Sequence, residues 1–319
     1  MFHRYSSIDN FNISLIDKID NDYKLCEWIA EEKIHGSNFS FITDGVKVEC
    51  ARRTAILKPD EKFYNYQVIV NKYVKDIVNL FTNIKQTYES LLYIHVYGEL
   101  FGGIYPELQG LTAVQKGVYY TNDIDFRIFD IMITCQHNND SQVCSYFSRT
   151  ELENLSKNTH VKLVPLIAKG NFDDIISCSP ELASVLYQDY GLTKVANNFA
   201  EGLIIKANTN FTINKFSYRP IFKNKNPKFD EIIFSNIDNE NLSEITPYLT
   251  KNRFHNVLSK ISTESYKKII ENFIDDALKD KSQNCDKNLS KIINRKRLLK
   301  SSLANTEYKT WYSEFITNS

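Results

Sequence analysis

The sequence predicts an α+β protein, with a large strand-rich N-terminal domain followed by a small all-α C-terminal domain. Three observations carry this. Short runs rich in Val, Ile, Phe and Tyr recur with period-two alternation from about residue 24 to 235, one long stretch among them has helical spacing, and after about residue 236 the strand signal stops. The 319 residues also exceed the roughly 100 to 200 that one core requires. The expected domains are residues 1–235 and 236–319.

The first strand is KLCEWIAEEKI, in which Leu25, Glu27, Ile29 and Glu31 alternate with Cys26, Trp28, Ala30 and Glu32. SNFSFIT and VKVECARR follow as strands. KFYNYQVIVNKYVKDIVNLF then places Phe63, Tyr66, Val70, Tyr73, Val74, Ile77 and Phe81 three and four residues apart, the stripe of a helix packed on a sheet. YIHVYGELF, DFRIFDIMI, EGLIIKA and FSYRPIFKNK complete the strand set. In the tail, SYKKIIENFIDDALKD carries Tyr266, Ile269, Ile270, Phe273, Ile274 and Ala277 on one helical stripe.

With 42% hydrophobic, 13% aromatic and 24% charged residues, the composition is that of a soluble globular chain, neither disordered nor collagenous. Lys plus Arg and Asp plus Glu are 39 each, so a polyanion-binding surface has to come from local segregation of charge. Such segregation exists at the end: residues 251–319 hold 14 Lys or Arg against 8 Asp or Glu, about +6, densest in NRKRLLK at 294–300. It reads either as a solvated helical face or as a phosphate-backbone contact. No apolar run approaches the ~20 residues of a membrane span, and the opening MFHRYSSIDNFN lacks a secretory signal, so a cytoplasmic or nuclear protein is expected. Cys26, Cys50, Cys135, Cys144, Cys178 and Cys285 form no CxxC pair and read as reduced thiols, neither zinc ligands nor bridges.

The chemistry-bearing residues begin with Lys33-Ile34-His35-Gly36 at the end of the first strand. A bare KxxG arises by chance, so its neighbours decide. They are Arg53 in CARRTAIL, Glu99 in YGELFGGIYPE, Phe129 and Asp130 in FRIFDIM, Glu201 and Gly202 in EGLIIK, and Lys223 and Lys225 in IFKNKNPKF. Lys223 and Lys225, two apart on a strand, leave the same face and read as a phosphate clamp. Singly, each residue has a plain reading: Phe129 as core, Glu99 or Glu201 as half of an ion pair, Arg53 as surface charge, His35 as a hydrogen-bonded loop residue. The ordered set points instead to one cleft.

EKIHGSNFSF, ARRTAIL, YGELFGG, FRIFDI, EGLIIK and FKNKNPKF together resemble the covalent nucleotidyltransferase superfamily. Within it the chain is similar to the RNA ligase 2 family of phage and viral RNA ligases, kin of the kinetoplastid RNA-editing ligases. Where DNA ligases and capping enzymes carry KxDG, His35 stands in the aspartate position and Asn38 follows, the RNA ligase 2 variant. RYSS at the start and YLTKNRFHNVLSKI in the tail extend the resemblance along the chain, while GGIYP after Glu99 is closer to the editing ligases.

The resemblance implies a ligase-type fold unrelated to ATP-grasp: an adenylyltransferase domain of antiparallel sheets with flanking helices, then a helical RNA-binding domain. It implies an ATP-dependent RNA ligase that uses Mg2+ or Mn2+, forms a lysyl-AMP intermediate and, as a monomer away from membranes, seals 3′-hydroxyl to 5′-phosphate ends in nicked duplex RNA. Lys33 would be the nucleophile and Glu32 would contact the base. Glu99 would accept the ribose hydroxyls and Phe129 would stack on adenine. Arg53, His35 and Asn38 would lie near the reacting phosphate, with Ile34 in the same nucleotide-binding loop. Glu201 would orient the lysine or a metal, partly through water, and Lys223 and Lys225 would hold phosphates.

The residue types suit that chemistry. Attack on the α-phosphate needs a neutral amine, whereas a free lysine, with a pKa of about 10.4, is protonated near neutrality. Burial beside two further lysines is one route to an activated amine. The same lysines, with a divalent ion, would neutralise the triphosphate and departing pyrophosphate. Two alternatives share parts of the pattern. An mRNA-capping guanylyltransferase would follow the last motif with a β-barrel, for which no alternating pattern exists after residue 236. A catalytically idle RNA-binding relative would have lost charged motif residues, and all are present.

Overall fold

The computed structural model describes residues 2–11, 13–16, 18–106, 108, 113–137, 141–213, 218–229, 246–261, 265–284 and 305–317. It divides into two compact units, Met1–Asn226 and Pro227–Ser319. The expected boundary after residue 235 lies outside the described residues.

In chain order the first unit contains β1 (Asp9–Asn10), α1 (Ile13–Ile16), α2 (Asn21–Lys24), β2 (Trp28–Glu32), β3 (Ser37–Thr43), β4 (Val48–Arg52), β5 (Ala55–Ile56), α3 (Gln67–Thr87) and β6 (Leu91–Gly102). β7 (Ile124–His137), β8 (Ser141–Tyr146), α4 (Arg149–Ser156), β9 (Leu166–Gly170), α5 (Phe172–Ile176), β10 (Gly202–Ala207), β11 (Phe211–Thr212) and β12 (Ile221–Lys225) follow. They build a five-stranded sheet, β1-β12-β10-β2-β9, and a seven-stranded sheet, β11-β8-β7-β6-β3-β4-β5. Neighbouring strands are antiparallel except β1 and β12, which run parallel.

Strand alternation decides what each sheet face does. In the seven-stranded sheet Phe39 and Phe41 of β3, Ile94, Val96 and Leu100 of β6, and Phe126 and Ile128 of β7 pack into one core with Ile69, Ile77, Leu80 and Ile84 of α3. Each such aliphatic side chain, once buried, contributes roughly 1.5–3 kcal/mol. In the five-stranded sheet Trp28, Ala30, Leu203, Ile205 and Phe222 pack against Leu15, Phe172 and Ile175 of the helices on its other side. The remaining two faces, one carrying Asn38 and Glu99, the other Lys206, Lys223 and Lys225, are turned toward each other. Contact between them is direct: Lys206 Nζ donates to the Phe129 carbonyl at 2.8 Å, and Arg219, just before β12, donates to Asp130 of β7 at 2.7 Å.

A bulge in β7 shapes this cleft. Tyr97 pairs with Asp130 but Gly98 pairs with Ile128, which leaves Phe129 as the extra residue. Ile128 and Ile131 both face α3, so Phe129 and Asp130 in succession leave that core for the cleft side.

Several element boundaries differ from the sequence pattern. β2 begins at Trp28, since the preceding residues form α2 and its C-cap Leu25, which is 86% exposed; the strand itself is buried on both faces. α3 begins at Gln67 because Tyr64 and Asn65 adopt left-handed φ values of 48° and 57°, which breaks the turn. Its buried stripe runs through Ile69, Tyr73, Ile77, Leu80 and Ile84, leaving Val70 and Val74 at the margin.

The second unit contains α6 (Lys251–Ile261), α7 (Tyr266–Asn284) and α8 (Thr306–Thr317) among its described residues. Phe254 and Leu258, the α7 stripe Ile269, Ile270, Phe273, Ile274 and Ala277, and Tyr308 and Trp311 form its core. Arg253, buried on α6, pairs with Asp276 at 2.9 Å and with Asp280. The basic run 294–300 and Cys285 lie outside the described residues. The other five cysteines are free thiols, and no helix among the described residues is long and apolar enough to cross a membrane.

Candidate active site

Residues 33–36 form the crossover from β2 in one sheet to β3 in the other, so Lys33 sits where the two cleft faces meet. The Lys33 amide donates to the Gly202 carbonyl at 2.9 Å and the His35 amide to the Tyr120 hydroxyl at 2.8 Å. Gly36 is required by closeness: a Cβ there would stand 2.2 Å from the Leu100 carbonyl oxygen. Gly202 has φ +144°, and a Cβ would stand 2.2 Å from the Asn224 carbonyl oxygen. Glycine at this position lets β10 start against β12, directly after Glu201.

Glu201 is the hub. Its Oε2 lies 2.5 Å from Lys33 Nζ and 3.2 Å from His35 Nδ1, and its Oε1 lies 3.9 Å from Lys225 Nζ. Burial alone would raise the carboxyl pKa, but Lys33, His35 and Lys225 outweigh it and hold the group well below the usual carboxylate range. The Lys33 side chain remains 20% exposed, open enough for a reactant to reach. The charge nearest Lys33 is thus the Glu201 carboxylate, whose other oxygen faces Lys225.

The remaining candidates are distributed over both walls. Asn38 and Glu99 are directly opposed residues of β3 and β6 and project on one face. Phe129, placed by the bulge, packs against Tyr5 with centroids 5.0 Å apart. Lys223 and Lys225 pair with Ile204 and Gly202 and leave β12 on the cleft face. Arg53 stands at the β4–β5 turn, where its Nη2 donates to Ser7 at 2.7 Å, while Arg52 pairs with Glu61 at 3.0 Å. Ile34 is buried in the loop. Glu32 is buried too, and its Oε2 accepts from the Val185 amide at 3.2 Å. Burial drives its pKa up to about 7 against the opposing influence of Ser184, Val185 and Arg127.

Four residues near these were assigned no role in the sequence reading. Lys206, inside EGLIIK, bridges Glu31 at 2.8 Å and Asp130 at 3.4 Å. Arg219 pairs with the same Asp130 and lies 3.9 Å over the Tyr146 ring, and Tyr5 donates to Asp130 as well. Tyr120, from the segment between Glu99 and Phe129, reaches the nucleophile loop. Alternation along β10, which puts Lys206 on the face away from Leu203 and Ile205, could have flagged it; nothing local marks Tyr5 or Tyr120.

Comparison with known proteins adds to this geometry. Residues 26–225 match the family model described as RNA ligase, and residues 233–306 match that described as T4 RNA ligase 2 C-terminal. The mitochondrial RNA-editing ligase 2 of Trypanosoma brucei brucei is 26% identical over 334 residues, covering 84% of this chain and 78% of that protein. RNA-editing ligase 1 of the same organism is 24% identical over 211 residues, covering 56% of this chain and 44% of that one. Among solved structures, a mutant Naegleria gruberi RNA ligase with ATP and Mn is 17% identical at a TM-score of 0.43, covering 70% of this chain and 56% of that chain. The chain thus spans about half the length of some relatives that it matches.

Proposed function

We propose, from the premise that this chain belongs to the RNA ligase family, that it is an ATP-dependent RNA ligase in which Lys33 carries the adenylate. The observation that carries this is the crossover itself: an accessible lysine at the junction of two sheets, touching a buried carboxylate and flanked by the paired lysines of β12.

In the first step Lys33 Nζ, having lost a proton, attacks the α-phosphorus of ATP. The P–N bond forms as the bond to pyrophosphate breaks. Glu201 holds the lysine in place beforehand, and as charge builds on the leaving group, Lys223 and Lys225 face it. Glu99 serves the ribose side, Phe129 the base, and Arg53, His35 and Asn38 the phosphate. Glu32 contacts the base side of the pocket. AMP then passes to an RNA 5′-phosphate, and a 3′-hydroxyl displaces it to form the phosphodiester. Among the described residues no group of three His, Cys, Asp or Glu side chains is placed to hold a metal ion, and both Glu201 oxygens face cations. Glu201 would be the residue to hold a Mg2+ or Mn2+ ion, partly through water, and that ion would add to the neutralisation of the triphosphate.

The RNA is read as a nicked duplex and the active species as a monomer, on the resemblance to the RNA ligase 2 family. The test is incubation with ATP labelled at the α-phosphate, followed by a denaturing gel. Label should stay on the protein, acid-labile and alkali-stable, and Lys33→Ala should abolish it. Equal labelling of that variant, or preference for GTP, would overturn the reading.

A further inference from the structure

Tyr120 lies outside every motif assigned a role, yet it is the side chain that holds the nucleophile loop from the opposite wall. It is 1% exposed, and its hydroxyl accepts the amide proton of His35, two residues after Lys33. Its ring packs edge-on against Phe101, with centroids 5.3 Å apart, and Phe101 is two residues beyond Glu99 on β6. Elsewhere in residues 33–36 the Lys33 amide is bonded to Gly202, Gly36 lies against the Leu100 carbonyl, and the Lys33 and His35 side chains meet Glu201. Between the two backbone points the His35 amide has Tyr120 as its partner.

Burial, with the carboxylates of Glu32, Glu201 and Glu99 nearby, keeps the phenol protonated, against the lesser pull of the His35 amide. The hydroxyl is thus a fixed neutral acceptor. A buried amide without its acceptor destabilises the conformation that strands it, so the loop depends on this bond for one backbone setting. A backbone shift in this loop moves Lys33 Nζ relative to the phosphorus it attacks, and reaction rate is steep in that placement.

We propose that Tyr120 is a positioning residue for the adenylation step, setting the backbone of the nucleophile loop so that Lys33 is aligned for attack. The inference rests on the reading of Lys33 as nucleophile, and it separates that step from the later ones. Joining of an RNA that already carries a 5′-linked adenylate does not use the Lys33 nitrogen as nucleophile. Loss of the Tyr120 hydroxyl therefore slows the first step and spares the last.

The experiment compares wild type, Tyr120→Phe and, as a packing control on α3, Ile69→Ala. Single-turnover adenylation is followed over a range of ATP concentrations, joining is followed on a nicked duplex carrying a pre-adenylylated 5′ end, and thermal melting is recorded for each protein. Tyr120→Phe should lower the saturating adenylation rate about tenfold, the scale of one hydrogen bond, and leave the ATP dependence and the pre-adenylylated joining within about twofold. Ile69→Ala should melt earlier and keep its adenylation rate at a temperature where it is folded. A wild-type saturating rate in Tyr120→Phe overturns the proposal. So does a loss confined to ATP affinity, or one shared equally by the pre-adenylylated nick, because either assigns Tyr120 to the pocket as a whole. If Tyr120→Phe melts early, a slowing matched by Ile69→Ala at equal loss of stability also overturns it. Absence of a lysyl adenylate in wild type would instead defeat the reading of Lys33.

Discussion

Lys33, Glu201 and Lys225 stand out in the sequence because charges at the ends of apolar strands have few structural uses, and the fold brings the three together. Lys225→Ala should slow adenylation by an order of magnitude or more, since one electrostatic contact to developing charge is worth ~2.7–4 kcal/mol; an unchanged rate in a normally melting variant would show the lysine to be decoration. Glu32 was legible only as a neighbour of the nucleophile. Its buried, partly unpartnered carboxyl is a property of the fold. With a folded pKa of about 7 against an unfolded value near 4.5, the native state binds more protons than the unfolded state between those limits. Stability contributed by this group is therefore full below about pH 4.5 and lost as pH rises toward 7. Glu32→Gln, a mimic of the protonated form, should match wild type near pH 4.5 and exceed it at pH 8 by on the order of 3 kcal/mol. Urea unfolding at the two pH values measures this, and a difference that does not vary with pH would assign the titration elsewhere. Tyr120 and Tyr5 were illegible because an aromatic outside any periodic stripe looks the same in sequence whether its hydroxyl meets solvent or a backbone amide.

At the scale of elements, alternation identified the strands that carry the motifs but not the irregularities that aim them. The β7 bulge that sends both Phe129 and Asp130 to the cleft follows from pairing with Tyr97 and Gly98, which no local pattern reveals. β8 and β9 escaped notice because their runs, SQVCSY and LIAKG, are short, partly exposed and weakly alternating. What ties the elements is a buried charge chain: Arg149 of α4, Glu31 of β2, Lys206 of β10, Asp130 of β7 and Arg219 before β12. It crosses from one sheet to the other behind Phe129. Asp130, at 0% exposure, answers two cations and the Tyr5 hydroxyl, so its removal strands Arg219, while Lys206 keeps Glu31. Asp130→Asn should cost about 3–5 kcal/mol, the scale for breaking one side of a buried pair. Combining it with Arg219→Met should restore part of that loss, because the stranded charge is then gone. Urea midpoints of the single and double variants decide the matter; a single variant as stable as wild type would mean that water reaches Arg219.

At the scale of the molecule, the residues of the proposed pocket and the tail's local positive charge fall in different units. Lys33, Arg53, Glu99, Phe129, Glu201, Lys223 and Lys225 all fall in Met1–Asn226, together with Tyr5, Tyr120 and the charge chain that braces them. The second unit has its own core on α6, α7 and α8, and contributes none of these residues. A fragment ending at residue 235 should thus keep the folded pocket and form the lysyl adenylate at close to the full-length rate. Sealing asks more, since a duplex must be held across the break by contacts to phosphate, which position without reading sequence. If the tail, with its charge of about +6 over residues 251–319, supplies those contacts, the fragment loses sealing of a nicked RNA duplex while keeping adenylation. Sealing by the full-length protein should also weaken as salt is raised, since each neutralised phosphate releases counterions. The comparison requires both activities for both proteins at two salt concentrations, with the fragment first shown to be folded by its melting transition. Intact sealing by the fragment would return the tail's charge to the reading of a solvated helical face.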